Sequence, residues 1–98
     1  MRRLLASIVA NNLKLAGGKT QSMCLTAAEA ALKEAGFENA KRYRSPSGES
    51  GNNVFASDKP YYAVVSCNGD IAFVAVSGPE GDKRGKMYGD TMKSMRGQ

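Results

Sequence analysis

Tyr61–Pro79, YYAVVSCNGDIAFVAVSGP, decides the fold. Tyr61–Cys67 and Ile71–Val76 are runs of β-branched, aromatic and small apolar residues, the composition of strands. Asn68-Gly69 between them tolerates the positive φ that both central positions of a type I′ turn require. The stretch is therefore expected to be a two-residue hairpin with Cys67 opposite Asp70 and Val65 opposite Ala72. Side chains alternate along a strand. One face then carries Tyr61, Ala63, Val65, Cys67, Ala72, Val74 and Val76; the other carries Tyr62, Val64, Ser66, Ile71, Phe73 and Ala75. Both sets are mostly apolar, so the hairpin is expected at the centre of its sheet, with cover on both faces. The first set is small enough for a helix to approach closely.

Lys19–Gly36 holds the helix that fits it. Cys24, Ala28, Ala31 and Ala35, with Leu25 and Leu32, recur at helical spacing and form a mostly alanine stripe. Thr26–Glu29 has capping-box spacing, and Thr20 or Ser22 offers an earlier start. Gly36 suits a C′ position, with Phe37 folding back onto the helix. Glu38–Arg44 reads as an edge strand, Ser45–Asn53 as a flexible loop, Val54–Ser57 as a short strand, and Asp58-Lys59-Pro60 as the turn into the hairpin. A second helix is expected over Lys83–Met95, capped by Asp82, with Tyr88, Met92 and Met95 on its apolar side. Gly85 and Gly89 weaken it or allow it to pack closely. The order α-β-β-β-β-α gives an α+β fold, a small antiparallel sheet of about four strands with two helices packed on it.

Met1–Gly18, MRRLLASIVANNLKLAGG, admits three readings. Arg2-Arg3 followed by Leu4–Ala10 resembles the front of a secretory leader, with a small-residue exit at Ala16-Gly17-Gly18. Leu4, Leu5, Ile8, Val9, Leu13 and Ala16 also fit one side of an amphipathic helix, and Leu4–Val9 fits a strand. Residues 1–19 are accordingly set apart as a leader-like or flexible segment, and 20–96 as a single α+β domain.

Cys24 and Cys67 reach the same layer by separate pattern arguments, one on the helix stripe and one on the facing strand. A disulfide between them is the expectation. It would stabilise the fold by up to roughly 4 kcal/mol through loop closure and would point to an oxidising compartment. Two buried free thiols are the other reading. The helix-start Cys24, Ala35-Gly36-Phe37, Tyr61-Tyr62, Cys67 and Phe73–Pro79 together resemble a loose group of small exported bacterial proteins without an assigned activity, over about residues 22–95. The resemblance implies a two-helix α+β fold and a periplasmic or secreted setting, and no activity.

The formal charge of +5 is concentrated at the front: residues 1–19 contain Arg2, Arg3, Lys14 and Lys19 and no acid, and the rest is close to balanced. The chain has no His, which removes the commonest general base and metal ligand. Two Cys without His do not make a standard zinc site or an activated thiol. Ser77–Asp82 lacks the Gly-Lys-Ser/Thr ending of a phosphate loop and carries two acids. No stretch has the length and apolarity of a membrane-spanning helix. A non-enzymatic domain without cofactor or metal is expected.

Two surfaces are candidates for binding. Tyr62 and Phe73, with Val64 and Ile71, are core if helix two covers them and a partner or dimer surface if it lies elsewhere. Lys41-Arg42-Tyr43-Arg44 interleaves cations with an aromatic ring, a pattern that suits phosphates and bases as well as a solvated edge. The leading expectation is an envelope accessory or secreted domain, monomeric or weakly dimeric, that binds a protein partner. The alternative is a cytosolic nucleic-acid-binding module using the basic N-terminus with Lys41, Arg42 and Arg44.

Overall fold

A computed structural model of the chain describes residues 7–44, 46–48 and 50–97. Arg2, Arg3, Leu4 and Leu5, on which the leader and the amphipathic-helix readings lean, lie outside the described residues. The elements run β1 (Ser7–Lys14), α1 (Gln21–Glu34), β2 (Lys41–Arg44), β3 (Ser50–Asp58), β4 (Tyr61–Asn68), β5 (Ile71–Gly78) and α2 (Gly81–Gly97). The five strands form one antiparallel sheet in the order β1-β5-β4-β3-β2. The α+β architecture is as expected, with one strand more: the segment set apart at the front supplies β1, which pairs with β5 along its length. Leu15, just after β1, is buried, so this segment contributes to the core.

The hairpin faces are those the alternation predicts, but its register differs. Asn68 pairs with Ile71 and Cys67 with Ala72, so Gly69-Asp70 makes the turn and Asn68 belongs to the strand. Gly69 has φ +61 and Asp70 does not have positive φ, the sign pattern of a type II′ turn with Gly at its first central position. A shift of two in register keeps every side chain on its expected face. The turn is clamped from the helix: Gln21 accepts from the Gly69 N–H at 2.7 Å and donates to the Cys67 carbonyl at 2.8 Å.

Thr20 caps α1, its hydroxyl accepting from the Met23 N–H at 3.2 Å, so the helix starts earlier than the Thr26–Glu29 spacing would place it. At the other end Gly36 has φ +104, and its N–H reaches the Lys33 carbonyl while Phe37 N–H reaches Leu32. These two bonds are a Schellman cap, and they fold Phe37 into the core. The alanine stripe is buried as predicted: Cys24, Ala27, Ala28, Ala31 and Leu32 face the sheet. Cys24 and Cys67 form the disulfide, with Cα atoms 6.0 Å apart.

Helix two lies on the same side. α1 covers β3 and β4, α2 covers β5 and β1, and the two helices touch each other. Met87, Thr91, Met92 and Met95 are buried and Tyr88 is half-buried, a stripe rotated slightly from the expected one. Among the described residues the expected cover on the second face of the hairpin is therefore absent. Two helices placed side by side span one face of five strands, and the described chain has no third layer to add.

Other boundaries move for local reasons. β2 begins at Lys41, because Asn39 leaves the sheet to bond Ser57, accepting from its N–H at 2.7 Å and donating to its hydroxyl at 2.9 Å. β3 extends back to Ser50, shortening the loop expected at Ser45–Asn53; Ser45 and Glu49 of that loop lie outside the described residues. The turn at Lys59-Pro60 joins β3 to β4 as expected.

Three glycines differ in what they do. A Cβ on Gly78 would fall 2.0 Å from the ring of Tyr61, whose hydroxyl accepts from the Glu80 N–H at 3.2 Å at the entry to α2. Gly85 and Gly89 have nothing within 4 Å, so neither serves close packing. Gly78→Ala is expected to destabilise the protein by about 1–3 kcal/mol. Gly85→Ala is expected to stabilise it by about 0.5–1 kcal/mol through helix propensity. Urea unfolding of the two variants beside the parent checks both; equal midpoints would contradict this packing.

Candidate functional site

One-sided packing leaves alternate residues of all five strands facing outward. Four cross-strand rows run over this open face. Ile8, Ser77, Tyr62 and Ser57 form the first; Ala10, Ala75, Val64, Phe55 and Lys41 the second. Asn12, Phe73, Ser66 and Asn53 form the third, and Lys14, Ile71 and Asn68 the fourth. Tyr43 stands on β2 within the register slip between Arg42 and Arg44 and lines the same depression as Asn12, Asn53, Ser66 and Phe73. A Cβ on Gly51 would meet the Tyr43 ring at 2.6 Å, so glycine there lets the ring lie across the neighbouring strand.

Six large apolar or aromatic side chains on this face are 41–66 % exposed: Ile8, Tyr43, Phe55, Tyr62, Ile71 and Phe73. Single exposed apolar residues are ordinary; a set gathered on one regular surface is not. Three adjoining shallow depressions mark it. One of about 340 Å³ lies between Asn39, Lys41, Phe55 and Tyr62. A second, about 250 Å³, lies between Ile8, Phe55, Tyr62 and Val64. The third, about 680 Å³, is more polar and lies between Asn12, Tyr43, Asn53, Ser66 and Phe73. Ser66 donates to the Asn53 side-chain oxygen within it.

Charge on the face has one sign. Among the described residues no Asp or Glu projects from these rows, and Lys14 and Lys41 are the cations. Lys14 reaches Asp70 in the hairpin turn at 3.7 Å. Among the described residues no group of three or more His, Cys, Asp or Glu is placed to hold a metal ion. No helix of the described residues is long and apolar enough to cross a membrane.

The predicted site residues divide between the two sides of the sheet. Tyr62, Phe73, Lys41 and Tyr43 share the open face. Arg42 points to the helix side, where its guanidinium lies 3.1 Å from Glu29 and donates to the Thr26 hydroxyl at 2.7 Å. Arg44 reaches the Gly48 carbonyl at 3.4 Å. Lys41-Arg42-Tyr43-Arg44 therefore does not present its charges on one surface. The basic run that opens α2 is also engaged within the chain. Lys83 lies 4.8 Å over the Tyr61 ring and 3.9 Å from Asp58, Arg84 donates to the Gly78 carbonyl at 2.7 Å, and Lys86 pairs with Asp90 at 2.8 Å. Cys24 and Cys67 lie in the core, at the opposite side of the sheet.

No protein-family model matches the chain, and neither a curated protein nor a solved structure does. The open face is thus characterised by its own chemistry. Sequence reading missed two of its members, Phe55 and Ile8. Val54 and Ala56 alternate with Phe55 and Ser57, which signals an outward Phe55 once β3 is given its register. Ile8 was hidden by the several readings of the first segment.

Outward-facing side chains carry little of the stability. Phe73→Ser is expected to cost less than about 1 kcal/mol, the scale of a cross-strand contact. Leu32→Ala, which empties a fully buried site, is expected to cost about 2–5 kcal/mol. A comparable loss for both in urea unfolding would mean that Phe73 is packed, and the open face would not exist.

Proposed function

We propose that this domain is a non-enzymatic protein-binding module and that the open sheet face is the surface it binds with. The observation that carries the reading is the gathering of Phe55, Tyr62, Phe73, Tyr43, Ile8 and Ile71, each 41–66 % exposed, on one regular face without a carboxylate. Aromatic side chains supply large contact area with few rotatable bonds, which is why they dominate binding energy at protein interfaces. A partner that complements this face has apolar side chains at its centre and carboxylates at its rim, opposite Lys14 and Lys41.

The disulfide is compatible with an extracellular location. We take the finer setting to be periplasmic or secreted, in keeping with the disulfide and the resemblance to small exported bacterial proteins; a retained first segment together with reduced thiols would instead place the protein in the cytoplasm. Cleavage at residues 16–18 would remove β1 and the buried Leu15 from the fold. The domain is therefore expected to work with β1 in place.

A photo-crosslinking residue at Tyr62, compared with the same residue at the exposed Lys93 of α2, tests the reading in cells that make the protein. One discrete protein adduct is expected from position 62 and none from 93. With that partner purified, Phe55→Asp should weaken binding at least tenfold without moving the unfolding midpoint, and binding should show a negative heat-capacity change. Equal adducts from both positions, or unchanged affinity in Phe55→Asp, would refute the proposal. A salt-dependent affinity for single-stranded nucleic acid that Phe55→Asp removes would replace it with the nucleic-acid reading.

A further inference from the structure

The two edges of the sheet are built differently. β2 is four residues long, carries Lys41, Arg42 and Arg44, and slips register between Arg42 and Arg44. Shortness, charge and irregularity all discourage another strand from adding there. β1 has none of these defences. It is eight residues long, keeps register with β5 from Ser7 to Lys14, and has no charge before Lys14. Among the described residues nothing pairs with its outer side.

The direction of each β1 backbone group follows from the hairpin. In a two-residue hairpin the closing pair, here Asn68 and Ile71, exchanges hydrogen bonds, and the pattern then alternates. Ile71, Phe73 and Ala75 bond toward β4, so Ala72, Val74 and Val76 bond toward β1. The Leu15 N–H, which reaches the Asp70 carbonyl at 2.7 Å, continues that set. On β1, then, Val9, Asn11 and Leu13 are satisfied by β5, while Ile8, Ala10 and Asn12 turn their backbone groups outward. The Asn12 N–H is covered locally by the Asn11 side-chain oxygen at 2.8 Å. The amides of Ile8 and Ala10 and the carbonyls of all three remain to be paired.

We infer that β1 pairs antiparallel with β1 of a second copy of the chain, across a two-fold axis at Asn11. The sequence is self-complementary in that register. Ala10 stands opposite the partner's Asn12, its N–H donating to the Asn12 carbonyl. Val9 stands opposite the partner's Leu13, so half-buried apolar residues at the outer margin of the helix layer cover each other. Ile8 stands opposite the partner's Lys14, which leaves the two lysines at opposite ends of the seam. The neighbouring register centred on Ala10 pairs as many residues but sets Val9 against asparagine and Leu13 against serine. A seam that matches its own reverse, with its only two cations at opposite ends, accepts a copy of itself. The product is one sheet of twice the width whose open faces are continuous. A single strand pair buries less than the roughly 1,200 Å² of a stable interface, so the dimer is weak and concentration-dependent.

Sedimentation of the full chain, together with amide exchange, tests this. The dimer fraction is expected to rise between about 10 μM and 1 mM, and the Ala10 amide should become protected over the same range. Ala10→Pro removes an outward N–H and leaves the β5 ladder whole. It should be monomeric throughout with an unchanged circular dichroism spectrum. Phe55→Asp, on the open face, should dimerise like the parent. A chain that stays monomeric at 1 mM overturns the inference. So does a dimer whose Ala10 amide exchanges freely, or one lost in Phe55→Asp and kept in Ala10→Pro, which is face-to-face association. None of these outcomes bears on whether a different protein binds the open face.

Discussion

The close approach of an alanine-surfaced helix to an alanine- and valine-surfaced sheet governs the rest of this structure. Ala28 and Ala31 of α1 are completely buried, and so are Val65 and Val74 beneath the helix layer. Small side chains on both sides bring backbone close to backbone, so the layer is thin and its packing depends on shape rather than bulk. The disulfide joins the same two surfaces, from the first turns of α1 to the last residues of β4. Its loop-closure benefit, at most roughly 4 kcal/mol, is comparable to the net stability of a small domain. Gln21 adds two hydrogen bonds to the hairpin turn a few residues away. Helix, strand end and turn are thus fixed to one another at one pole of the sheet.

The other consequences follow from where the large side chains go. The core face is mostly Ala, Val and Cys, with Tyr61 at one end of β4, and strand alternation puts Phe55, Tyr62 and Phe73 on the other face. These stand in the first three outward rows and face away from the helices. A half-buried antiparallel sheet normally alternates apolar and polar residues. Here the outward positions hold aromatic or aliphatic groups beside Asn, Ser and the two cations Lys14 and Lys41. That composition resists dissolving the sheet and remains available for contact. Edge protection is correspondingly uneven: β2 is short and cationic, and β1 is long and uncharged up to Lys14.

Much of this was legible in the sequence, because period-two alternation survives errors of register. The turn was placed one residue early, at Asn68-Gly69, yet Cys67 and Val65 still fell on the helix face, since a register shift of two preserves sides. The C-terminal cap at Gly36-Phe37 and the disulfide were legible for a similar reason. Each rests on a few residues whose chemistry permits little else. What sequence could not supply was the placement of whole elements. An amphipathic stripe on α2 says that the helix packs, not on which face of the sheet it packs. Arg42 was read as part of a basic surface because its neighbours are basic. A strand sends it to the opposite side from Lys41 and Tyr43, where Glu29 of α1 is within 3.1 Å. The first segment was ambiguous because an apolar run of this length suits a leader, a helix or a strand equally, and only the free edge of β5 distinguishes them.

A binding face carried by strands differs physically from one carried by loops. Its side chains are spaced by the pleat and by interstrand distance, and their backbones are already ordered by the fold. Less conformational entropy is then lost on association, and affinity depends more on the quality of the contact. The clamp formed by Gln21 and the disulfide extends this order to the end of the sheet, where Asn12, Ser66, Asn53 and Phe73 meet, a region that in most small domains would belong to a mobile hairpin tip. Tyr43 completes that end because Gly51 gives its ring room to lie flat. Order at this pole adds to what the exposed aromatic side chains would bring to the proposed recognition surface.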